Sequence, residues 1–303
     1  EARAWLERIR QASRERSYQG TLVFTAGDVV SSSRVGHFCV GDQVYERIEA
    51  LDGRQQQLYR HNDLVHTLWP TRRVATVEKG DPLGTELGMP RIELRLQNHY
   101  EVRPLAADRL AGREAQMLML KPRDALRFAQ RLWADKDTGL LLRADVLGAD
   151  GKVLESVTFS DLEIGAKPMR ESVLGPMKRL DGYRVVNLQP TPTTLEAEGW
   201  SVGAVPAGFR LVGSVRRGIG DPLENGPGAA PQALQAVFSD GLARVSVFIE
   251  ARDAARTRHA LMTQMGATHT LMRPLKERWW ITVMGDVPPA TLKLFLAALD
   301  RRP

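Results

Sequence analysis

The residue types that could carry out chemistry are few and widely spaced in this sequence of 303 residues. Of its six histidines, only His61 and His66 flank one turn, where they could meet across a hairpin. A metal site needs three or four ligands with supporting hydrogen bonds, and no third ligand stands near this pair. The sequence therefore predicts no metal site.

Paired carboxylates point to surface positions and not to hydrolytic chemistry. Asp135 and Asp137 lie at a predicted turn, and Glu46 and Glu49 fall on an exposed face of a predicted strand. A hydrolase would need a buried pair whose environments push the two pKa values apart. We therefore interpret these four residues as solvated groups.

Cys39 is the only cysteine, which excludes an internal disulfide and a metal site built from cysteines alone. It stands in the predicted strand "RVGHFCVG". In such a position a small apolar core residue is the favoured interpretation, and a reactive thiol is the alternative.

The chain also has none of the common catalytic or nucleotide-binding motifs. HExxH, GxSxG, a Walker loop and paired CxxC are all missing, and Gly218-Ile219-Gly220 lacks both the third glycine and the preceding βαβ pattern of a dinucleotide site. We predict no catalytic residue and no cofactor. A Ser/His/Asp constellation assembled from distant residues stays open.

The distribution of charge says more than the net value of +6. Residues 1–164 hold 24 Lys or Arg and 24 Asp or Glu, whereas residues 200–303 hold 13 and 8. A basic segment favours an acidic partner such as an acidic peptide, a phosphorylated lipid or nucleic acid. Nucleic acid is the weakest of these, because the chain has little Lys and no recognition-helix or stacked-aromatic pattern.

The elements that would position these residues follow from periodicity and turn signals. Glu1 to Ser17 has apolar residues at helical spacing. After it come about ten short strands up to residue 164, separated by turn dipeptides such as Asp52-Gly53 and Asp150-Gly151. Such a meander must close into a barrel or curl around helices, since an open flat sheet leaves long edges.

Proline marks the join to a second, smaller unit. Eight of the seventeen prolines fall between Pro168 and Pro231, which predicts an extended linker over 166–199. Beyond it we expect a hairpin around Asp240-Gly241, a helix over Asp253–Met265, a second hairpin, and a last helix over Pro288–Leu299. The predicted class is α+β: a partly open antiparallel barrel with helices over its open side (1–165), the linker, and a sheet with two helices (200–303).

Aromatic residues of the meander are candidates for a lipid cavity, although core packing is the first interpretation for them. The candidates are Phe24, Phe38, Tyr45, Trp69, Trp133 and Phe159.

In the last hundred residues, arginines surround the strands and two tryptophans stand side by side. Neighbours in a strand point to opposite faces, so one tryptophan could anchor a partner beside the arginines. The alternative is that the first domain covers this face. The candidate partner-binding residues are Arg210, Arg216, Arg217, Phe238, Arg244, Arg278 and Trp279.

Long phrases of this sequence resemble one family, the RseB/MucB group of periplasmic sigma-factor regulators. They include "YQGTLVF" and "LDGRQQQLYRHND" in the first part, and "QAVFSDGLARVSVFIE" and "VMGDVPPATLKL" in the second. The stretch "LWADKDTGLLLRADVLGADGKVLESVTFSDLEI" is also similar to the lipoprotein carriers LolA and LolB, which have an unclosed antiparallel barrel.

The resemblance implies a protein of the periplasm whose leader has been removed and which is not an enzyme. It would bind the periplasmic segment of a MucA/RseA-type anti-sigma factor and protect it from regulated proteolysis. The stress sigma factor would then stay inactive; in one branch its output is alginate biosynthesis. Lipid, lipopolysaccharide or a lipoprotein would be the release signal. A lipid or lipoprotein carrier is the alternative, and a homo-oligomer stays open.

Overall fold

A computed structural model describes residues 1–80, 83, 88–224, 231–256 and 258–302. The chain is mostly β-structure, with few helices and an unclosed sheet, so the predicted α+β class is correct only in part. No helix among the described residues is both long enough and apolar enough to cross a membrane.

The first part of the chain forms a curled sheet of twelve strands. Its order is β12-β6-β5-β4-β3-β2-β1-β11-β10-β9-β8-β7, and every pair except β12 with β6 is antiparallel. The strands are β1 (Tyr18–Ala26), β2 (Val29–Val40), β3 (Gln43–Ala50), β4 (Gln57–His61), β5 (Leu64–Trp69), β6 (Val74–Lys79), β7 (Tyr100–Leu110), β8 (Arg113–Pro122), β9 (Ala129–Asp135), β10 (Leu141–Leu147), β11 (Val153–Ile164) and β12 (Arg184–Leu188). The predicted meander is therefore confirmed.

Two α-helices pack on this sheet. α1 (Ala2–Glu15) buries Leu6, Ile9 and Ala12, the residues at the predicted helical spacing. α2 (Glu171–Lys178) buries Val173 and Met177 against strands β3 and β4. A short 3-10 turn over Leu94–Asn98 leads into β7, and another spans Pro70–Arg72.

Residues 166–199, predicted as an extended linker, contain regular structure. They hold α2, then β12, which adds in parallel to β6, and then β13 (Thr191–Pro192), which pairs with the second sheet. The prolines stand where they do not interrupt a central strand, since β13 is an edge strand. The segment thus fastens to both sheets.

The second sheet has seven strands in the order β13-β15-β16-β17-β20-β19-β18. Its other strands are β15 (Arg210–Gly218), β16 (Gln232–Ser239), β17 (Arg244–Ala251), β18 (Leu261–Met265), β19 (Thr268–Leu275) and β20 (Trp279–Gly285). A two-stranded ribbon joins β14 (Trp200–Val202) to β21 (Leu299–Arg301). α3 (Pro289–Ala298) covers one face through Leu292 and Phe295, which confirms the predicted last helix.

The helix predicted over Asp253–Met265 is wrong. Residues 261–265 form β18, which pairs with β19 along its whole length. Gly266 adopts a positive φ of 59°, but it serves the hairpin turn between these strands and does not end a helix. Pairing with β19 therefore overrides the helical spacing, and α3 is the one α-helix among the described residues of 200–303.

Candidate functional site

The turn between β16 and β17 is the centre of the junction between the two sheets. Asp240 in this turn is fully buried, and its Oδ2 accepts hydrogen bonds from the Tyr100 hydroxyl at 2.8 Å and from Arg127 Nε at 2.9 Å. Its Oδ1 accepts the backbone N–H groups of Leu242 at 2.9 Å and Ala243 at 2.7 Å. The carboxylate therefore fixes its own turn and binds the first part of the chain.

Backbone contacts surround this ion pair. The Glu93 N–H donates to the Gly241 carbonyl at 2.8 Å, and Arg95 donates to the carbonyls of Gly208 at 2.9 Å and Ser239 at 2.8 Å. Gly241 has a φ of 102°, and a Cβ there would lie 3.2 Å from the Leu96 nitrogen. Only glycine fits this combination of a positive φ and close approach.

Further along the junction, two of the predicted partner-binding arginines contact the first part of the chain. Arg217 forms an ion pair with Glu78 at 3.2 Å, and Arg244 donates to the carbonyl of Leu83. Sequence reasoning offered a second interpretation, that the first domain covers this face, and these two contacts agree with it.

The seven predicted partner-binding residues do not form one surface. Arg210 lies at one end of β15 and Arg217 at the other, roughly 23 Å apart at the usual rise per strand residue. Phe238 is buried in the core, and Arg216 is paired with Glu198. Trp279 is half-buried against Trp200, whereas Arg210 and Arg278 are exposed.

A cavity of about 570 Å³ lies between α1, the inner side of β1 to β4, and the turn that holds Gly241. Its size is within the range of small-molecule sites. Its wall combines apolar residues such as Phe159 and Leu141 with the basic residues Arg10, Arg14 and Arg91. Such a lining suits a ligand that has both an apolar and an anionic part.

A cluster of polar groups lines this cavity. Its Glu46 is buried, as is Asp135 elsewhere in the sheet, so the interpretation of these two carboxylates as solvated groups is wrong. His37 Nδ1 is 2.7 Å from Glu46 Oε1, and its Nε2 is 3.3 Å from Cys39 Sγ, which also contacts the Arg14 carbonyl. Burial would lower the pKa of His37, but the hydrogen bonds to Cys39 and Glu46 raise that pKa to about 9. The imidazole therefore holds a positive charge at neutral pH, beside Glu46 and Arg60.

The predicted lipid-cavity residues are spread over several places. Phe159 lines the large cavity, Phe24 lines a second one of about 320 Å³ at the sheet junction, and Tyr45 faces an open pocket beside α2. Phe38 and Trp133 are buried in packed clusters, Phe38 under α2 and Trp133 beside Leu142. Trp69 is buried at the end of β5.

The second cavity contains a carboxyl pair that sequence reasoning missed. Glu155 on β11 forms a side-chain hydrogen bond with Asp286, which follows β20. Burial and the neighbouring Asp286 raise the pKa of Glu155 to about 8. No sequence signal could have found this pair, because the two residues are 131 positions apart and come from different sheets.

Fold and junction together define a binding protein of two sheets, joined by buried polar contacts and enclosing cavities. No group of three or more His, Cys, Asp or Glu side chains within the described ranges is arranged to hold a metal ion.

Comparisons with known proteins identify the family. Residues 1–178 match the MucB/RseB N-terminal domain and residues 194–300 match the MucB/RseB C-terminal domain. The chain therefore belongs to the MucB/RseB family of sigma-factor regulators.

Relatives and solved structures match over almost the whole chain. The sigma factor AlgU regulatory protein MucB of Pseudomonas aeruginosa is 31% identical, over 100% of this chain and 91% of the relative. The sigma-E factor regulatory protein RseB of Escherichia coli is 24% identical, over 96% and 87%. The complex structure of P. aeruginosa MucA/MucB gives a TM-score of 0.72 at 28% identity, over 100% of this chain and 99% of the matched chain.

Proposed function

We propose that this protein binds the periplasmic segment of a MucA-type anti-sigma factor, acts in the periplasm, and protects that segment from regulated proteolysis. The observation that carries the proposal is the similarity over the full chain to MucB in complex with the periplasmic part of MucA, with a TM-score of 0.72 and 27% identity. In this proposal the protein works by binding and not by catalysis, and the stress sigma factor stays inactive while the complex lasts.

The distribution of charge supports a partner that is acidic. Residues 200–303 hold 13 Lys or Arg against 8 Asp or Glu. A surface of one sign steers a segment of the opposite sign and gives binding that weakens with salt. We therefore propose residues 200–303 as the partner-binding part, with Arg210, Arg278 and Trp279 as contacts that retain exposed surface.

The large cavity supports a second role for residues 1–165, the sensing of a lipid. Arginine side chains and apolar groups share its wall, and a lipid with an anionic head group presents the same two kinds of surface. Since the cavity also touches Gly241 and Arg244 of the sheet junction, a bound lipid would change the contacts between the two sheets. For the lipid to release the anti-sigma factor, it must bind the partner-free protein more tightly than it binds the complex.

Calorimetry tests the binding directly. The periplasmic segment of P. aeruginosa MucA is titrated into the full chain at low and at high salt. We expect saturable binding that weakens as salt rises, and a weaker complex for the Arg278→Glu variant. A matched control is Lys293→Glu on α3, which makes the same reversal of charge away from the proposed contacts. No heat of binding from the intact protein would refute the proposed function.

A further inference from the structure

The hairpin turn between β18 and β19 is a second contact between the two sheets. Gly266 and Ala267 form this turn. Gly266 approaches the first sheet so closely that a Cβ would lie 2.7 Å from the Ala26 Cβ and 3.1 Å from Glu155 Oε1. Ala26 on β1 pairs with Glu155 on β11, and Ala267 is fully buried. The turn therefore packs directly on these two strands.

Two carboxyl groups meet at this contact, one from each sheet. Glu155 forms a side-chain hydrogen bond with Asp286 and accepts the Ala267 N–H. Asp286 Oδ1 in turn accepts the Thr268 hydroxyl at 2.6 Å. Ionised carboxylates only accept hydrogen bonds, so a bond between two carboxyl groups needs a proton on one of them. That shared proton is therefore part of the contact between the sheets.

The cavity of about 320 Å³ around the pair has little to offset a second negative charge. β1, β9 and β10 contribute uncharged residues to its wall, and β20 contributes Met284. Among the described residues of that wall, Arg244 on β17 is the one cation, and its guanidinium donates to the Leu83 carbonyl. His269 on β19 is a further titratable group at the turn, with its Nδ1 3.2 Å from the Ala267 carbonyl.

A rise in pH acts on this contact and not on the Asp240 turn. Burial and the neighbouring Asp286 raise the pKa of Glu155 from 4.5 to about 8, so the pair keeps its proton at neutral pH. Loss of that proton leaves two like charges side by side in the cavity. The ion pair of Asp240 with Arg127 needs no proton on its carboxylate, because the guanidinium supplies the donors.

We propose that Glu155 and Asp286 form a proton-dependent latch between the two sheets. While the proton is shared, the Gly266–Ala267 turn stays against β1 and β11. When the proton is lost, repulsion between the carboxylates moves the turn away from these strands, and the junction at Asp240 stays closed. The latch makes the relative position of the two sheets depend on pH. This inference goes beyond the proposed function, since it needs neither the anti-sigma factor nor a lipid.

Amide hydrogen exchange on the unmodified full chain tests the latch. Exchange of the Ala267 N–H is measured at pH 5.5 and pH 7.5, and each rate is compared with the intrinsic rate at the same pH. In an open turn Glu155 regains its ordinary pKa of 4.5, so each pH unit between 4.5 and about 8 favours opening by about tenfold. We expect the protection of Ala267 to fall by about tenfold or more. The amides of Leu242 and Ala243, which donate to Asp240, should stay within about twofold.

Three variants identify the group that titrates. Glu155→Gln keeps a donor for Asp286 but cannot lose a proton, so the protection of Ala267 should differ by less than about twofold between the two pH values. Glu163→Gln, at an exposed glutamate of the same strand, is the matched control and should keep the full pH dependence. His269→Asn removes the other titratable group at the turn and should keep it as well.

The outcomes separate a local latch from its alternatives. Equal protection of Ala267 at both pH values in the unmodified chain would overturn the inference. A pH dependence that survives Glu155→Gln, or that His269→Asn abolishes, would assign the titration to another group and overturn it too. If Leu242 and Ala243 lose protection together with Ala267, the whole junction loosens and the local latch is wrong.

Discussion

Replacement of Asp240 by Asn should lower the free energy of unfolding, because Asp240 joins the two sheets through a buried ion pair. The carboxylate is fully buried, as is the side chain of its partner Arg127. In the Asp240→Asn variant the amide oxygen can still accept the hydrogen bonds from the N–H groups of Leu242 and Ala243. The amide NH₂ then faces Arg127 Nε and the Tyr100 hydroxyl, both of which donate to Asp240 Oδ2 in the unmodified protein. A buried guanidinium therefore loses its buried counter-charge.

The expected loss in the free energy of unfolding is about 3 kcal/mol, the lower end of what breaking a buried ion pair costs. The lower end applies because Arg127 keeps its contact with Asp124, which is partly exposed. Urea unfolding at pH 7, followed by tryptophan fluorescence, measures the change. Asp300→Asn is the control, since Asp300 pairs with Lys276 on the surface at 3.5 Å, and a surface pair is worth about 0–1 kcal/mol. A loss below about 1 kcal/mol for Asp240→Asn would refute the reasoning, because it would equal that of a surface pair.

Three further predictions concern pH and the turn. Glu155 has an ordinary pKa of 4.5 and a folded pKa of about 8 beside Asp286; the folded state therefore binds more protons between these values, and stability falls as pH rises through this window. Glu155→Gln should remove that fall in thermal unfolding measured at pH 5 and pH 6.5, and an unchanged fall would contradict it. His37, whose pKa is raised from 6.5 to about 9, contributes stability that is present below pH 6.5 and lost as pH rises to about 9. In thermal unfolding measured at pH 6.5 and pH 9, His37→Gln should reduce that loss, and an unchanged loss would count against the His37–Glu46 pair. Gly241→Ala should destabilise the protein more than Gly53→Ala, because both have positive φ but a Cβ at Gly53 meets nothing within 4 Å; equal losses in urea unfolding would contradict the close approach at the junction.

Local signals in the sequence were enough to predict the meander and the last helix. Turn dipeptides such as Asp52-Gly53 and Asp150-Gly151 indicate where the chain reverses between strands. They can be read from the sequence because a turn depends on residues that are adjacent in the chain. α3 follows from Pro288-Pro289 and an apolar stripe. The strand at Leu261–Met265 could not be predicted in this way, because its pairing with β19 outweighs the helical spacing of the residues before it.

The junction was beyond the sequence for a related reason. Asp240 and Gly241 form a turn dipeptide that would suit an exposed turn equally well. No signal near it in the sequence indicates that Asp240 pairs with Arg127, which is 113 residues away. Counting charges shows that residues 200–303 carry most of the excess positive charge, but a count does not say which arginines are already paired. Arg217 and Arg244 are used within the junction, so the surface left for a partner differs from the one predicted.

The central claim is that this protein shields the periplasmic segment of a MucA-type anti-sigma factor. The most direct measurement is the rate at which a periplasmic extract cuts the P. aeruginosa MucA segment, with increasing amounts of the full chain. We predict that cutting slows in proportion to the complex formed and recovers at high salt, where the basic surface is screened. An unchanged rate at concentrations that saturate binding would contradict the account.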